Sequence, residues 1–151
     1  MWEAMLHSPV SGANARMSHL SSSDVTPTLM VVDDYEDSRF MLRYLLEARG
    51  YRVAEARDGL EAIEVARRER PQLILMDLSL PRLDGISAAL RIREDATAAP
   101  LSIVALTGHV RPEDRAEALA AGFDGYIIKP IDFEGLYALL DRLLPVRSHA
   151  A

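Results

Sequence analysis

The chain has 151 residues, of which 49% are hydrophobic, 26% charged and only 6% aromatic, with a formal net charge of -6 and no cysteine. That size suits one domain with an aliphatic core, and the acidic balance disfavours direct binding to a nucleic-acid backbone. Without cysteine there are no disulfides or thiolate metal sites, which fits a reducing, cytoplasmic compartment, and no apolar run approaches the ~20 residues that span a bilayer.

Residues 1–27 are rich in Ser and small residues, with Ser21-Ser22-Ser23 near their end. They lack the basic start and apolar stretch of a secretory signal, so a disordered tail is expected, with Met17 as an alternative start. The first apolar run, Leu29 to Val32, ends in Asp33 and Asp34. A helix follows from about Glu36 to Ala48, with Met41, Leu42, Leu45 and Leu46 at helical spacing. Gly50 suits the left-handed position beyond its end. Arg52 to Ala56 forms a short second strand whose charges, Arg52 and Glu55, mark it as an edge. Asp58-Gly59-Leu60-Glu61 resembles a capping box, and the helix it opens runs to about Arg68.

The second fully apolar run, Leu73 to Met76, ends in Asp77. Asp84 can cap a third helix from about Gly85 to Arg93. The fourth strand, Leu101 to Leu106, ends in Thr107. Pro112 fits the first turn of a fourth helix that ends near Gly122. The fifth strand, Tyr126 to Ile128, ends in Lys129 and Pro130. Asp132 can cap the last helix, whose Phe133, Leu136, Tyr137, Leu140, Leu143 and Leu144 form an apolar stripe that Pro145 stops.

Strands one, three, four and five are continuous apolar runs, as parallel strands covered on both faces require. Five such strand–helix units predict an α/β fold: a flavodoxin-like, doubly wound, five-stranded parallel sheet of order 2-1-3-4-5 with five helices. The folded domain is expected over residues 28–145, with a short tail at 146–151 and no output domain. In this topology ligands sit beyond the carboxyl ends, between strands one and three, where Asp33, Asp34 and Asp77 fall.

Three carboxylates in one crevice repel each other and become favourable together when a hard divalent cation binds. Mg²⁺ takes one or two carboxylates, keeps several waters and accepts phosphate oxygens. A carboxylate can also serve as a nucleophile toward phosphorus. Phosphoryl transfer then needs mainly position and neutralised charge, which Lys129 can supply as a mobile point charge. The Thr107 hydroxyl can donate to a phosphoryl oxygen, and Gly108 leaves room beside it.

The ordered set Val31-Val32-Asp33-Asp34, Leu75-Met76-Asp77-Leu78-Ser79-Leu80-Pro81-Arg82-Leu83-Asp84-Gly85, Ala105-Leu106-Thr107-Gly108 and Gly125-Tyr126-Ile127-Ile128-Lys129-Pro130 closely resembles the receiver domain of bacterial response regulators, over about Thr28 to Leu144. The resemblance implies a stand-alone, chemotaxis-regulator-like phosphorylation switch in which Asp77 takes a phosphoryl group from a sensor histidine kinase or histidine phosphotransfer protein. It implies Mg²⁺ held by Asp34, Asp77 and the Ser79 backbone carbonyl, with Asp33 acting chiefly through a metal-bound water. Thr107 and Tyr126 would be the switch pair, the alternative for an aromatic at position 126 being fixed core. A cis peptide is implied before Pro130, and His109 stands where the family tunes dephosphorylation. The output partner would dock on the fourth helix, fifth strand and fifth helix, and a phosphorylation-linked dimer fits the same pattern. The chain would not be a dedicated enzyme, yet would catalyse its own phosphorylation and slow dephosphorylation.

Two other classes stay open. A haloacid-dehalogenase-type phosphatase also uses an aspartate and Mg²⁺, but Asp77-Leu78-Ser79 lacks its second acid. A phosphate-independent interaction module would keep these residues without using them.

Overall fold

The structure, a computed structural model, describes residues 26–95, 100–108 and 111–144. Residues 1–25 of the expected leading tail, Met17 among them, the tail at 146–151, Pro145 and His109 lie outside the described residues, whereas Pro27, expected in the tail, is buried and its carbonyl accepts from the Arg52 amide. The order of elements is β1 (Thr28–Val32), α1 (Glu36–Ala48), β2 (Arg52–Ala56), α2 (Gly59–Glu69), β3 (Leu73–Asp77), α3 (Gly85–Asp95), β4 (Ser102–Thr107), α4 (Pro112–Ala120), β5 (Gly125–Ile128) and α5 (Phe133–Leu143). The sheet order is β2-β1-β3-β4-β5, and all four pairings are parallel. This is the doubly wound, flavodoxin-like topology that the alternation of elements predicts.

Side chains alternate across the strands, so an apolar run feeds both faces of a sheet. Met30, Val32, Ile74, Met76, Ile103 and Ala105 point into one core, which α2 and α3 close with Ala62, Ile63, Val65, Ala88, Ala89 and Ile92. Leu29, Val31, Leu73, Leu75, Val104 and Leu106 point into the other, closed by Leu42 and Leu46 of α1 and Leu136, Leu139 and Leu140 of α5. Each of these fully buried Leu or Ile side chains contributes roughly 1.5–3 kcal/mol relative to exposure.

The ladder continues past the strand ends. The amide of Asp33 donates to Ala56 O, that of Leu78 to Leu106 O, and that of Lys129 to Thr107 O. The chain segments that carry the candidate site are therefore fixed by sheet hydrogen bonds before any side chain acts.

Local signals hold with some corrections. Gly50 takes φ 94° just beyond α1, and Gly122 takes φ 86° beyond α4, both readily reached without a Cβ. Asp58 Oδ1 accepts from the Glu61 amide at 2.8 Å, but Glu61 returns its bond to the Arg57 amide rather than to Asp58. Asp84 Oδ1 accepts from the Ser87 amide at 2.9 Å. That bond outweighs burial and holds the Asp84 carboxyl below its ordinary range. Asp132 stands at the N-cap of α5 but makes no side-chain capping bond. β4 starts and ends one residue later than expected, which takes Thr107 into the strand, and α4 stops at Ala120.

The larger correction concerns β5. Its apolar run reads as covered on both faces, yet at the sheet edge where the expected order puts it the strand is only partly buried, and Ile128 is 39% exposed. Its apolar residues are only partly covered because α4 buries just Ala118.

Candidate functional site

Asp33 and Asp77 follow from strands that are apolar on both faces, so both are drawn almost out of solvent, to 1% and 6% exposure. Neither is left without partners. Asp33 Oδ1 accepts from the Tyr35 amide at 2.9 Å, and Asp77 Oδ1 accepts from the Ser79 amide at 2.8 Å. The remaining oxygens converge on one cation: Lys129 Nζ donates to Asp77 Oδ2 at 2.8 Å and to Asp33 Oδ2 at 3.2 Å. Burial alone would lower the Lys129 pKa. The hydrogen bond and charge of Asp77, then those of Asp33, outweigh it and raise the ammonium above its ordinary value.

Asp34 is exposed at the rim, and one carboxylate oxygen each from Asp33, Asp34 and Asp77 lies within 4.8 Å of the others. Three carboxyl groups facing one ammonium leave an excess of acidic oxygen, the donor set that a hard dication prefers. The residues therefore fit a Mg²⁺ ion.

Thr107 is 3% exposed at the end of β4. The register pairs Asp77 with Leu106, which sets Thr107 one residue beyond that level, opposite Ile128. Ser79 is exposed, and its amide fixes Asp77. Lys129–Pro130 is cis, as the resemblance implies. Tyr126 is half-buried in the groove between β5 and α4, with Arg111, Ala116, Leu119 and Ile128 around it. The Arg115 guanidinium lies 5.5 Å from its ring centroid. The structure thus gathers Asp33, Asp34, Asp77 and Lys129, places Thr107 at the adjoining strand end, and sets Tyr126 in the groove against α4.

Two features of the site escape a reading of strand ends. Gly85 opens α3 directly beneath the loop that follows Asp77: a Cβ there would collide with the Asp77 carbonyl oxygen and come within 2.9 Å of Leu78 Cα. Its amide also donates to Leu78 O at 3.2 Å. Arg39 is the other. It is a charged residue 9% exposed on the inner side of α1, and its Nη1 donates to the Asp33 carbonyl at 2.9 Å. The signal was an Arg three residues before Leu42 and seven before Leu46, on the apolar stripe itself.

Comparison with known proteins agrees with this geometry. Residues 29–141 match the family described as response regulator receiver domain. The polar-differentiation response regulator DivK of Brucella ovis is 35% identical over 107 residues, 71% of this chain and 87% of that protein. The receiver domain of the sensor histidine kinase PA1611 from Pseudomonas aeruginosa PAO1, solved with a magnesium ion coordinated in its active-site cleft, superposes with a TM-score of 0.71 at 34% identity, covering 79% of this chain and 98% of that one. The receiver domain of Saccharomyces cerevisiae Ssk1, co-crystallised with the histidine phosphotransfer protein Ypd1, gives 0.72 at 30% identity, covering 79% of this chain and 90% of that one. No helix among the described residues is long and apolar enough to cross a membrane. With the sheet order, the acidic cluster and a match over most of its length in agreement, the chain belongs to the response regulator receiver domains of two-component signalling.

Proposed function

We propose that this receiver domain is a phosphorylation switch with Asp77 as the phosphoacceptor. The observation that carries the reading is the Lys129 ammonium, held 2.8 Å from one buried carboxylate and 3.2 Å from another at the carboxyl edge of the sheet. An oxygen of Asp77 attacks the phosphorus of a phosphohistidine on a sensor kinase or phosphotransfer protein. The O–P bond forms as the N–P bond breaks, and the imidazole nitrogen leaves with the electron pair. The Ser79 amide holds the carboxylate in place during attack. Lys129 moves from Asp77 to the phosphoryl oxygens and keeps their charge balanced. Asp33, Asp34, Asp77 and the Ser79 carbonyl would hold Mg²⁺, which when bound supplies neutralising charge to phosphoryl oxygens.

The Thr107 hydroxyl donates to the phosphoryl group once it is present. Tyr126, next along the sheet on β5, follows by repacking against α4. α4 suits that response because Ala118 is its one buried residue among those described. The output partner reads the α4–β5–α5 face, in the cytoplasm, and phosphorylation acts by preferring one of two existing conformations. Hydrolysis of the acyl phosphate returns the carboxylate and ends the signal.

A phosphate-affinity gel with a small acyl phosphate as donor, with and without Mg²⁺, tests this reading. A retarded band should form with Mg²⁺, decay slowly and be absent in Asp77→Asn. No retarded band with any donor or kinase contradicts the switch.

A further inference from the structure

Arg39 breaks the apolar side of α1, yet its guanidinium has two partners. Its Nη1 donates to Asp33 O at 2.9 Å and its Nε to Glu55 Oε1 at 3.3 Å. The other Glu55 oxygen accepts from Arg43 Nη1 at 2.7 Å. Glu55 lies on β2, opposite Val31 of β1, one residue before the Ala56 carbonyl that receives the Asp33 amide. One buried fork therefore ties α1 and β2 to a single carbonyl, that of the peptide joining Asp33 to Asp34.

That peptide plane fixes the origin of two of the three clustered carboxylates. Asp33 has a second anchor in the Tyr35 amide and a third in Lys129. Among the described residues the exposed Asp34 carboxylate has no comparable side-chain bond, so its direction depends more on the backbone that Arg39 holds. Resting on the metal-assisted switch proposed above, we propose that Arg39 is a positioning residue for the divalent-cation site, setting the Asp33–Asp34 peptide so that both carboxylates face Asp77. Lysine cannot replace it, because one ammonium does not reproduce two donors at fixed angles. Glu55 completes the device by holding the fork in orientation.

The sign of the effect separates position from charge. A guanidinium acting only through its charge would repel a dication, so its removal would tighten binding. A guanidinium that places the ligands makes its removal weaken binding. Loss of partners that orient metal ligands typically costs on the order of 10- to 100-fold in metal affinity.

The test is Mg²⁺ binding to the unphosphorylated full chain by isothermal titration, with amide spectra as a check on folding. Wild type is measured first, and absence of binding there overturns the metal-site reading itself. Given wild-type binding, Arg39→Ala and Arg39→Lys should each weaken Mg²⁺ by about 10-fold or more. Arg43→Ala, which breaks one Glu55 ion pair but leaves the Arg39 fork, should stay within about twofold. If Arg39→Ala does not fold, Arg39→Lys and Glu55→Gln carry the test. Unchanged or tighter Mg²⁺ binding in the folded Arg39 variants, or full rescue by lysine, overturns the proposal while leaving the phosphoacceptor reading intact.

Discussion

Replacing Lys129 with methionine removes the ammonium and keeps most of the stem, so it isolates the charge at the centre of the site. The lost contacts are charge-assisted hydrogen bonds of 2.8 Å to Asp77 and 3.2 Å to Asp33, both to carboxylates that stay buried. Breaking a fully buried ion pair costs about 3–5 kcal/mol, while exposed pairs contribute at most about 1 kcal/mol. The Lys129 side chain is 31% exposed, between those limits, so a loss of roughly 2–3 kcal/mol is expected in metal-free buffer near neutral pH. Urea denaturation of wild type and variant reads it directly, because the slope should stay constant while the midpoint falls. Mg²⁺ should narrow the gap, since a dication takes over the balancing of the same carboxylates and no longer meets the ammonium's repulsion. The pH dependence follows from the raised Lys129 pKa: the stabilisation is fully present below its ordinary value of 10.5 and is lost as pH rises through the higher folded value. A variant as stable as wild type in metal-free buffer, or a gap that closes between pH 7 and 9, refutes the pairing argument.

Other expectations are equally direct. Gly85→Ala forces a methyl against the Asp77 carbonyl, so it should destabilise by about 1–3 kcal/mol and slow phosphorylation, read by urea titration and by band-shift kinetics. Asp58→Ala removes the 2.8 Å cap of α2 and should cost about 1 kcal/mol in a thermal or urea melt, with phosphorylation unchanged. Thr107→Val keeps shape but not the hydroxyl. Its phosphorylated form should still appear on the gel, while the resonance shifts of Tyr126 seen on wild-type phosphorylation should be lost.

How much the sequence reveals depends on whether a signal is local. The strand ends were legible because strands one, three, four and five are apolar runs cut by a polar residue: Asp33, Asp77, Thr107 and Lys129. Parallel pairing then brings those breaks to one edge; the alternation of elements predicts the doubly wound sheet, and the flavodoxin-like resemblance supplies the 2-1-3-4-5 order that the structure shows. The coverage of β5 was misread, though not its place at the edge, because the run Tyr126-Ile127-Ile128 does not say how much of it a neighbouring helix covers. The short, weakly buried α4 decides that, leaving Ile128 partly exposed. Asp132 has the right residue type for a cap, but capping also needs side-chain geometry that type alone does not give.

Arg39 and Glu55 were legible only in part. Glu55 reads as an ordinary edge-strand charge, and nothing local joins it to Arg39, because the contact between them spans 16 positions. Gly85 likewise reads as the start of a helix. Only the packing of α3 under β3 reveals that a side chain there would strike the Asp77 backbone.

The central claim is that Asp77, and not either neighbouring carboxylate, accepts the phosphoryl group. Intact-protein mass measurement after incubation with an acyl phosphate and Mg²⁺ tests it most directly, followed by reductive trapping of the acyl phosphate and peptide mapping. The account predicts a gain of one phosphoryl group in wild type, mapped to Asp77 and absent in Asp77→Asn. The same gain in Asp77→Asn, or a trapped site at Asp33 or Asp34 in wild type, would contradict it.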